Sequence, residues 1–310
     1  MIKTPITHAA LLIAAMYMLM SCQPQTPPPA RGAALNVLAV ESFIADMAQN
    51  VAGDRLHAQT LMPLGLDPHA FEPTPQDLTK IAASQVLIVN GAGFEEWLQK
   101  VLDNAGGQRM VIEAAAGLTS RMGREVETDE KSGDPHFWLD PLMAIQYVEN
   151  IRDGLIKADP SGRDVYTRNA ADYIAKLNEL DGWIKAQVAH IPAKRRLFVT
   201  NHESLGYFAD RYGFKIVGAI VPSVSTSAAP SARQLAALVD QIRASGASAI
   251  FLETGANPQL AQQLGRETGA QVVTDLYTHS ITAADGPAPT YIDMMKHNVT
   301  VIVQALTRGD

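Results

Sequence analysis

From residue 35 onward the chain alternates between two textures. Continuous apolar runs at residues 35–40, 85–90 and 109–113 alternate with stretches whose apolar residues recur every three or four positions. Short unbroken apolar runs read as strands covered on both faces, and a period near 3.6 reads as a helix with one buried side. The spacing predicts helices over residues 42–51 and from Asp140 to about Ala158. Between Ser161 and His190 a single stripe formed by Tyr166, Tyr173, Ile174, Leu177, Leu180, Ile184 and Val188 predicts one long helix. At ~1.5 Å per residue it would run about 40 Å, the length of a two-lobed body. Past it the alternation restarts, with strands expected at 197–200, 215–221, 249–252 and 271–274, and helices at 231–244, 258–268 and 291–307. Alternating strands and helices imply parallel sheets with helices on both faces. The expected organisation is therefore α/β: an N-terminal lobe over 35–160, a linking helix over 161–190 and a C-terminal lobe over 191–310.

The first residues change that picture. Met1-Ile-Lys-Thr opens the chain, an apolar run from Ala9 to Met20 follows, and Cys22, the one cysteine of 310 residues, comes just after. A basic start, a short apolar core and small residues before a cut site describe a secretory signal, too short for a relaxed membrane span. Residues 1–22 therefore read as a lipoprotein signal with Cys22 as the lipidated residue, although Met20 is a less usual neighbour than a small residue. Residues 23–34, QPQTPPPARGAA, are proline-rich and polar, as a tether would be. The mature chain is expected outside the cytoplasm, lipid-anchored to the cell membrane and facing the periplasm or the extracellular side. A net charge of −7 and a pI near 5.6 exclude a nucleic-acid partner, which needs a basic face.

Candidate chemistry lies with histidine. GLDPHAFEP places His69 two residues after Asp67, and DPHFWLD repeats the arrangement with Asp134 and His136. Proline restricts its own φ and the residue before it, so each turn aims its imidazole. His202 in TNHES and His279 in YTHSI also follow expected strands, where ligands of open parallel sheets gather. Four imidazoles suit a borderline dication such as zinc, but the four lie far apart in the chain, so spacing alone leaves a shared site and four separate structural roles both open. His57, His190 and His297 sit within helix or strand patterns and read as structural or surface residues; His8 lies in the signal.

The ordered series GLDPHAFEPTPQD, VLIVNGAGFEEWL, DPHFWLDP, TNHESLGYFADRYG and TYIDMMKHN resembles the metal-binding solute receptors of bacterial zinc/manganese ABC importers, over nearly all of residues 35–308. That resemblance implies two α/β lobes bridged by a rigid helix, one ion between them, and an importer permease with its ATPase as partners of a monomeric receptor. It carries ligand roles onto His69, His136 and His202. The third position is a carboxylate in many manganese receptors, which tilts His202 toward Zn2+, with Mn2+ the alternative. The fourth position is normally acidic, in a stretch like YTDSI, and His279 stands there instead; Asp275 is the alternative fourth ligand. Four neutral imidazoles leave a dication its full charge, which is costly to bury unless acids nearby offset it. Asp67, Glu72 and Glu203, with Asp134, Asp140 and Glu253, are candidates to hold the far ring nitrogens or lend field. Residues 121–133 are short, acidic and free of histidine, unlike the histidine-rich loop of many zinc receptors of this kind. A zinc hydrolase with three histidine ligands and Glu203 as base is the competing expectation, although no H-E-x-x-H helix is present. An adhesin role is a further possibility on which the residues are silent.

Overall fold

A computed structural model describes residues 35–122 and 133–307. The signal with Cys22, the tether over 23–34 and most of the 121–133 segment lie outside the described residues.

Among the described residues, eight strands form two parallel four-stranded sheets. The first has the order β2-β1-β3-β4, from β1 (Val37–Ala39), β2 (Ala58–Thr60), β3 (Val86–Val89) and β4 (Met110–Glu113). The second has the order β6-β5-β7-β8, from β5 (Leu197–Thr200), β6 (Lys215–Ala219), β7 (Ala249–Glu253) and β8 (Gln271–Leu276). Val86, Leu87, Ile88 and Val89 are all buried, as a central parallel strand covered on both faces requires. Around the sheets lie α1 (Ser42–Ala52), α2 (Pro75–Ala83), α3 (Leu98–Ala105), α4 (Pro141–Ala158), α5 (Arg163–Val188), α6 (Gly206–Tyr212), α7 (Ala232–Ser245), α8 (Gln259–Thr268) and α9 (Tyr291–Thr307).

The long linking helix is α5, 26 residues, and it buries Tyr166, Ala170, Tyr173, Leu177, Leu180, Ile184 and Val188. Asp181 on the same face is paired with Lys185 and Arg211, each at 2.8 Å. A second connection crosses back: α9 packs on α5 and α1, and its Tyr291 hydroxyl donates to the Trp138 carbonyl at 2.6 Å. One continuous apolar core consequently runs from Val37 and Phe43 through α4, α5 and α9 to Phe198 and Phe251.

Three helices and a strand escape the apolar pattern. β2 is three residues with only Ala58 buried, an edge strand without alternation to read. α6 is seven residues, under two full turns. α3 is eight residues; its stripe of Leu98, Val101, Leu102 and Ala105 packs on the N-terminal core but spans only about two turns. α2 did carry a signal, a capping box in which Thr74 and Asp77 satisfy each other's backbone N–H groups, with Pro75 in the first turn.

Where β1 ends, Glu41 is 1 % exposed and faces Glu95, also buried. Glu95 accepts from the Asn90 and Gly91 N–H groups at 2.6 and 3.1 Å. Burial, then the neighbouring Glu95 charge, pushes the Glu41 carboxyl well above its ordinary range, and burial pushes Glu95 up to about 7. A carboxyl raised in the folded state binds protons there that the unfolded chain has released, so stability falls as pH rises from about 4.5 through the folded value. In the metal-free protein this carboxyl pair should therefore cost more stability at pH 8 than at pH 5, and Glu41→Gln should gain about 1–3 kcal/mol over the parent at pH 8 and little at pH 5. Denaturant titrations at the two pH values check this; parallel curves for the two proteins would contradict it.

Candidate metal centre

The two Asp-Pro-His stretches adopt the same local turn. In each, the aspartate Oδ1 accepts the histidine backbone N–H two residues on, at 3.0 Å for both Asp67–His69 and Asp134–His136. Proline between them cannot donate and holds φ, so the carboxylate closes the turn and the imidazole projects from a fixed base. The remaining carboxylate capacity is spent differently. Asp134 Oδ1 also meets its own histidine's Nδ1 at 2.8 Å. Asp67 Oδ2 accepts from the Thr226 hydroxyl of the C-terminal lobe at 2.6 Å, tying the lobes together.

His202 follows β5, its carbonyl held by the Thr200 hydroxyl at 2.7 Å. His279 follows β8, in a loop clamped by the Trp138 indole N–H donating to the Thr278 carbonyl at 2.7 Å and by the Gly65 N–H donating to the Ser280 hydroxyl at 2.9 Å. Both loops leave the carboxyl ends of parallel strands.

The structure brings His69, His136, His202 and His279 together, one candidate ligand atom from each lying within 4.8 Å of the others. His136 Nε2 is 3.3 Å from His69 Nε2 and 3.2 Å from His202 Nε2. His279 Nε2 is buried without a hydrogen-bond partner, as it would be if aimed at an ion. All six distances between ring centroids fall between 5.0 and 5.4 Å, a nearly regular tetrahedron of imidazoles. Four imidazoles on one ion at about 2.0–2.1 Å would put neighbouring nitrogens about 3.3 Å and ring centroids about 5 Å apart.

The surroundings hold His69 and His136 neutral, as metal binding requires of their lone pairs. His136 and His202 are 0 % exposed and His279 is 8 % exposed, while His69 keeps part of its surface open. Burial, reinforced by His279 and His202, lowers His69 to about 2; burial and the other three rings hold His136 well below its ordinary value. His279 goes the other way: burial alone would lower it, but the Glu253 carboxylate raises it. Glu253 lies 2.9 Å from His202 Nδ1 and 3.3 Å from His279 Nδ1; both are charge contacts rather than aligned hydrogen bonds, and His279 Nδ1 also lies 3.4 Å from the Thr278 hydroxyl. Burial would raise Glu253 too, yet His202 and His279 hold it well below the usual carboxylate range. Burial raises Asp134 to about 7, with the His136 N–H and Arg121 pulling against it.

The acids expected to hold the far ring nitrogens are redistributed. Asp67 accepts from no ring nitrogen; it closes its turn, bridges to Thr226 and lends field to His279. Glu72 is exposed at the rim of an interlobe cleft of about 690 Å³ that reaches Glu253 and His279. Glu203 faces a separate cavity of about 250 Å³ with Arg121, Asp134 and Asp210. Asp140 caps α4 through the Leu142 N–H at 2.9 Å. The reason is topological: the residue beside a ligand in sequence points away from it, whereas the end of an adjacent strand points toward it. Asp275 likewise turns outward, its side chain 60 % exposed and 3.6 Å from His297 Nε2, outside the cluster. Phe94 and Trp138, unassigned by sequence reasoning, wall the site: the Phe94 ring meets His69 edge-on at 4.9 Å, and the Trp138 ring lies 5.2 Å from His136.

Two lobes closing on a buried cluster of metal-seeking side chains define a receptor for an ion rather than an open catalytic centre. The chain belongs to the family described as zinc-uptake complex component A, periplasmic, which it matches over residues 37–305. It is 34 % identical over 278 residues to the manganese-binding lipoprotein MntA of Halalkalibacterium halodurans, covering 89 % of this chain and 90 % of that one. It is 32 % identical over 270 residues to the iron-binding protein YfeA of Yersinia pestis, covering 86 % and 85 %. The manganese-bound periplasmic metal-binding protein of Candidatus Liberibacter asiaticus superposes with a TM-score of 0.78 at 32 % identity, covering 88 % of this chain and 99 % of the other. The protein is therefore a metal-binding receptor of an ABC importer, acting outside the cytoplasm as a membrane-anchored lipoprotein with permease and ATPase partners. The hydrolase expectation falls with this: the family's members are receptors, not enzymes.

Proposed function

We propose that His69, His136, His202 and His279 together hold one divalent first-row transition ion, that zinc is the ion held most tightly, and that the receptor delivers it to its permease. The near-regular tetrahedron of rings carries this reading. An all-nitrogen shell suits zinc, whereas manganese prefers oxygen-rich surroundings and stands lower in the affinity order of divalent ions. Manganese is the second reading, and the names of the similar proteins, which speak of manganese and iron, support it over zinc. With every tetrahedral position filled by protein, the shell leaves no site for a reactive water.

Calorimetry and metal analysis test this together. One ion per chain is expected, with zinc displacing manganese; manganese retained against equimolar zinc would establish the second reading instead. Acidity supplies a sharper signature. Binding needs neutral imidazoles, and only His279 has its affinity for a proton raised among the three rings with perturbed values. A proton on His279 should therefore compete with the ion, weakening binding by at least about tenfold per pH unit as the pH falls from neutrality toward 5. A slope of three or four protons over that interval would contradict the electrostatics described above.

A further inference from the structure

The sheet order β6-β5-β7-β8 sets β7 between the strands whose ends carry His202 and His279. Glu253, the last residue of β7, is 9 % exposed and divides its two oxygens between those rings, Oε1 toward His202 Nδ1 at 2.9 Å and Oε2 toward His279 Nδ1 at 3.3 Å. The Ser204 hydroxyl donates to Oε1 at 3.1 Å and fixes the carboxylate's rotation. One buried anion thus stands behind both ligands from the C-terminal lobe, one imidazole's width from where the ion would sit.

We propose that Glu253 is the specificity-determining positioning residue of the centre: it locks His202 and His279 in the tautomer that carries the proton on Nδ1 and supplies the negative charge that an acidic ligand would otherwise bring. The proposal rests on the reading that the four histidines hold the cargo, and it goes beyond it by naming what makes an all-imidazole shell workable.

Charge and donor chemistry meet at this residue. A carboxylate ligand lowers the charge of the site but adds a hard oxygen, which moves preference toward manganese. Placed behind the rings, the same charge offsets the dication while every donor atom remains nitrogen. The charge contacts favour one tautomer: a carboxylate at 2.9 and 3.3 Å from the two Nδ1 atoms is stabilised by a proton on each, which leaves the Nε2 lone pair for the ion, while the Thr278 hydroxyl, 3.4 Å from His279 Nδ1, can turn its lone pair to the same proton. His136 is set in the same way by its own Asp134, at 2.8 Å. His69 differs from the other three: its Nδ1 is buried without a hydrogen-bond partner, as is that of His202, but no carboxylate of the described residues stands within ion-pair distance of it as Glu253 does for His202. The C-terminal half of the centre is consequently a preset clamp built on adjacent strands.

Glu253→Gln tests this without changing side-chain size. An amide offers one acceptor and one donor, so it can serve only one Nδ1–H and forces the other ring to move its proton to Nε2, where it blocks coordination. In competition titrations with zinc and manganese, the variant should still bind one zinc but about 10–100-fold more weakly, the range expected when a residue orienting a ligand is lost. Side-chain nitrogen NMR of the metal-free protein should show two Nδ1–H rings for His202 and His279 in the parent and one in the variant. Glu253→Asp keeps the charge and should recover part of the affinity. In a His279→Asp background, which places an acid directly on the ion, Glu253→Gln should cost much less than in the parent.

Parent-like zinc affinity with both tautomers unchanged in Glu253→Gln would overturn the proposal. So would a Glu253→Asp variant no better than Glu253→Gln, or a loss undiminished in the His279→Asp background. If Glu253→Gln does not fold, the Glu253→Asp comparison with the parent decides, a tenfold or smaller loss supporting the role and abolished binding overturning it. Failure of the underlying reading is seen separately, as a parent protein that binds no ion or binds one unaffected by loss of His136.

Discussion

Alanine at position 136 should abolish tight metal binding, weakening it on the order of a thousandfold while leaving the protein folded. His136 is fully buried, and its Nε2 makes both of the shortest approaches in the cluster, to His69 and to His202. Removing it deletes one of four donors and the ring contact of Asp134 at 2.8 Å, while Asp134 keeps the backbone N–H of residue 136 and Arg121. A zinc ion on four protein ligands is held by roughly 10–16 kcal/mol, so one donor of the four carries ~4 kcal/mol, which corresponds to about a thousandfold in affinity. His297→Ala is the matched control, because His297 accompanies Asp275 outside the cluster. Calorimetry on the two variants should separate them widely; equal affinities would remove His136 from the centre.

The second large effect is structural. Trp138 is 0 % exposed, stacks on Phe43 at 4.6 Å, packs against Phe94 at 4.8 Å, and its indole N–H reaches the Thr278 carbonyl beside His279. It therefore joins the N-terminal core to the loop of a C-terminal ligand. Trp138→Ala should destabilise the protein by about 3–5 kcal/mol, from lost apolar contact, the cavity left behind and an unpaired carbonyl. Because one of the lost bonds fixes the Thr278–His279 loop, zinc affinity should drop as well. Trp138→Phe should restore most of the packing but not the interlobe bond, so stability should recover further than affinity. Denaturant unfolding checks the first statement, and a loss below ~1 kcal/mol would contradict the buried-core account.

Both expectations depend on contacts that the sequence displayed only in part. The strands with unbroken apolar runs, such as Val86–Val89, and the stripe of α5 were legible because burial there repeats with the backbone period. The short α6 and the edge strand β2 were not, since neither buries enough in register to leave a pattern. Among the four histidines, the Asp-Pro-His turns were visible as local chemistry, and their geometry is local: each aspartate closes on the N–H two residues away. Their convergence is a property of two sheets facing each other, which no spacing along the chain encodes. The same holds for the supporting acids. Six acids were candidates, and of these Asp134 and Glu253 stand beside the rings; Glu253 reaches two of them from the neighbouring strand and lies 49 residues from Ser204, which steadies it. The crossing of α9 back to Trp138 is likewise a long-range event, spanning 153 residues.

Rigidity shapes how an ion could leave. The lobes share α5, the packing of α9 and one apolar core, so wide hinge opening would expose buried surface at high cost. Access runs instead through the cleft that reaches His279 and Glu253, near the ring that stays partly open, His69. Release is thus most economical through the loops carrying His69 and His279.

X-ray absorption at the metal edge of the zinc-loaded protein reads the coordination shell itself. Four nitrogen neighbours at about 2.0–2.1 Å are expected, with the outer scattering of four imidazoles and no oxygen neighbour. A shell with two or three imidazoles completed by oxygen, or with five or six neighbours, would contradict a four-histidine centre.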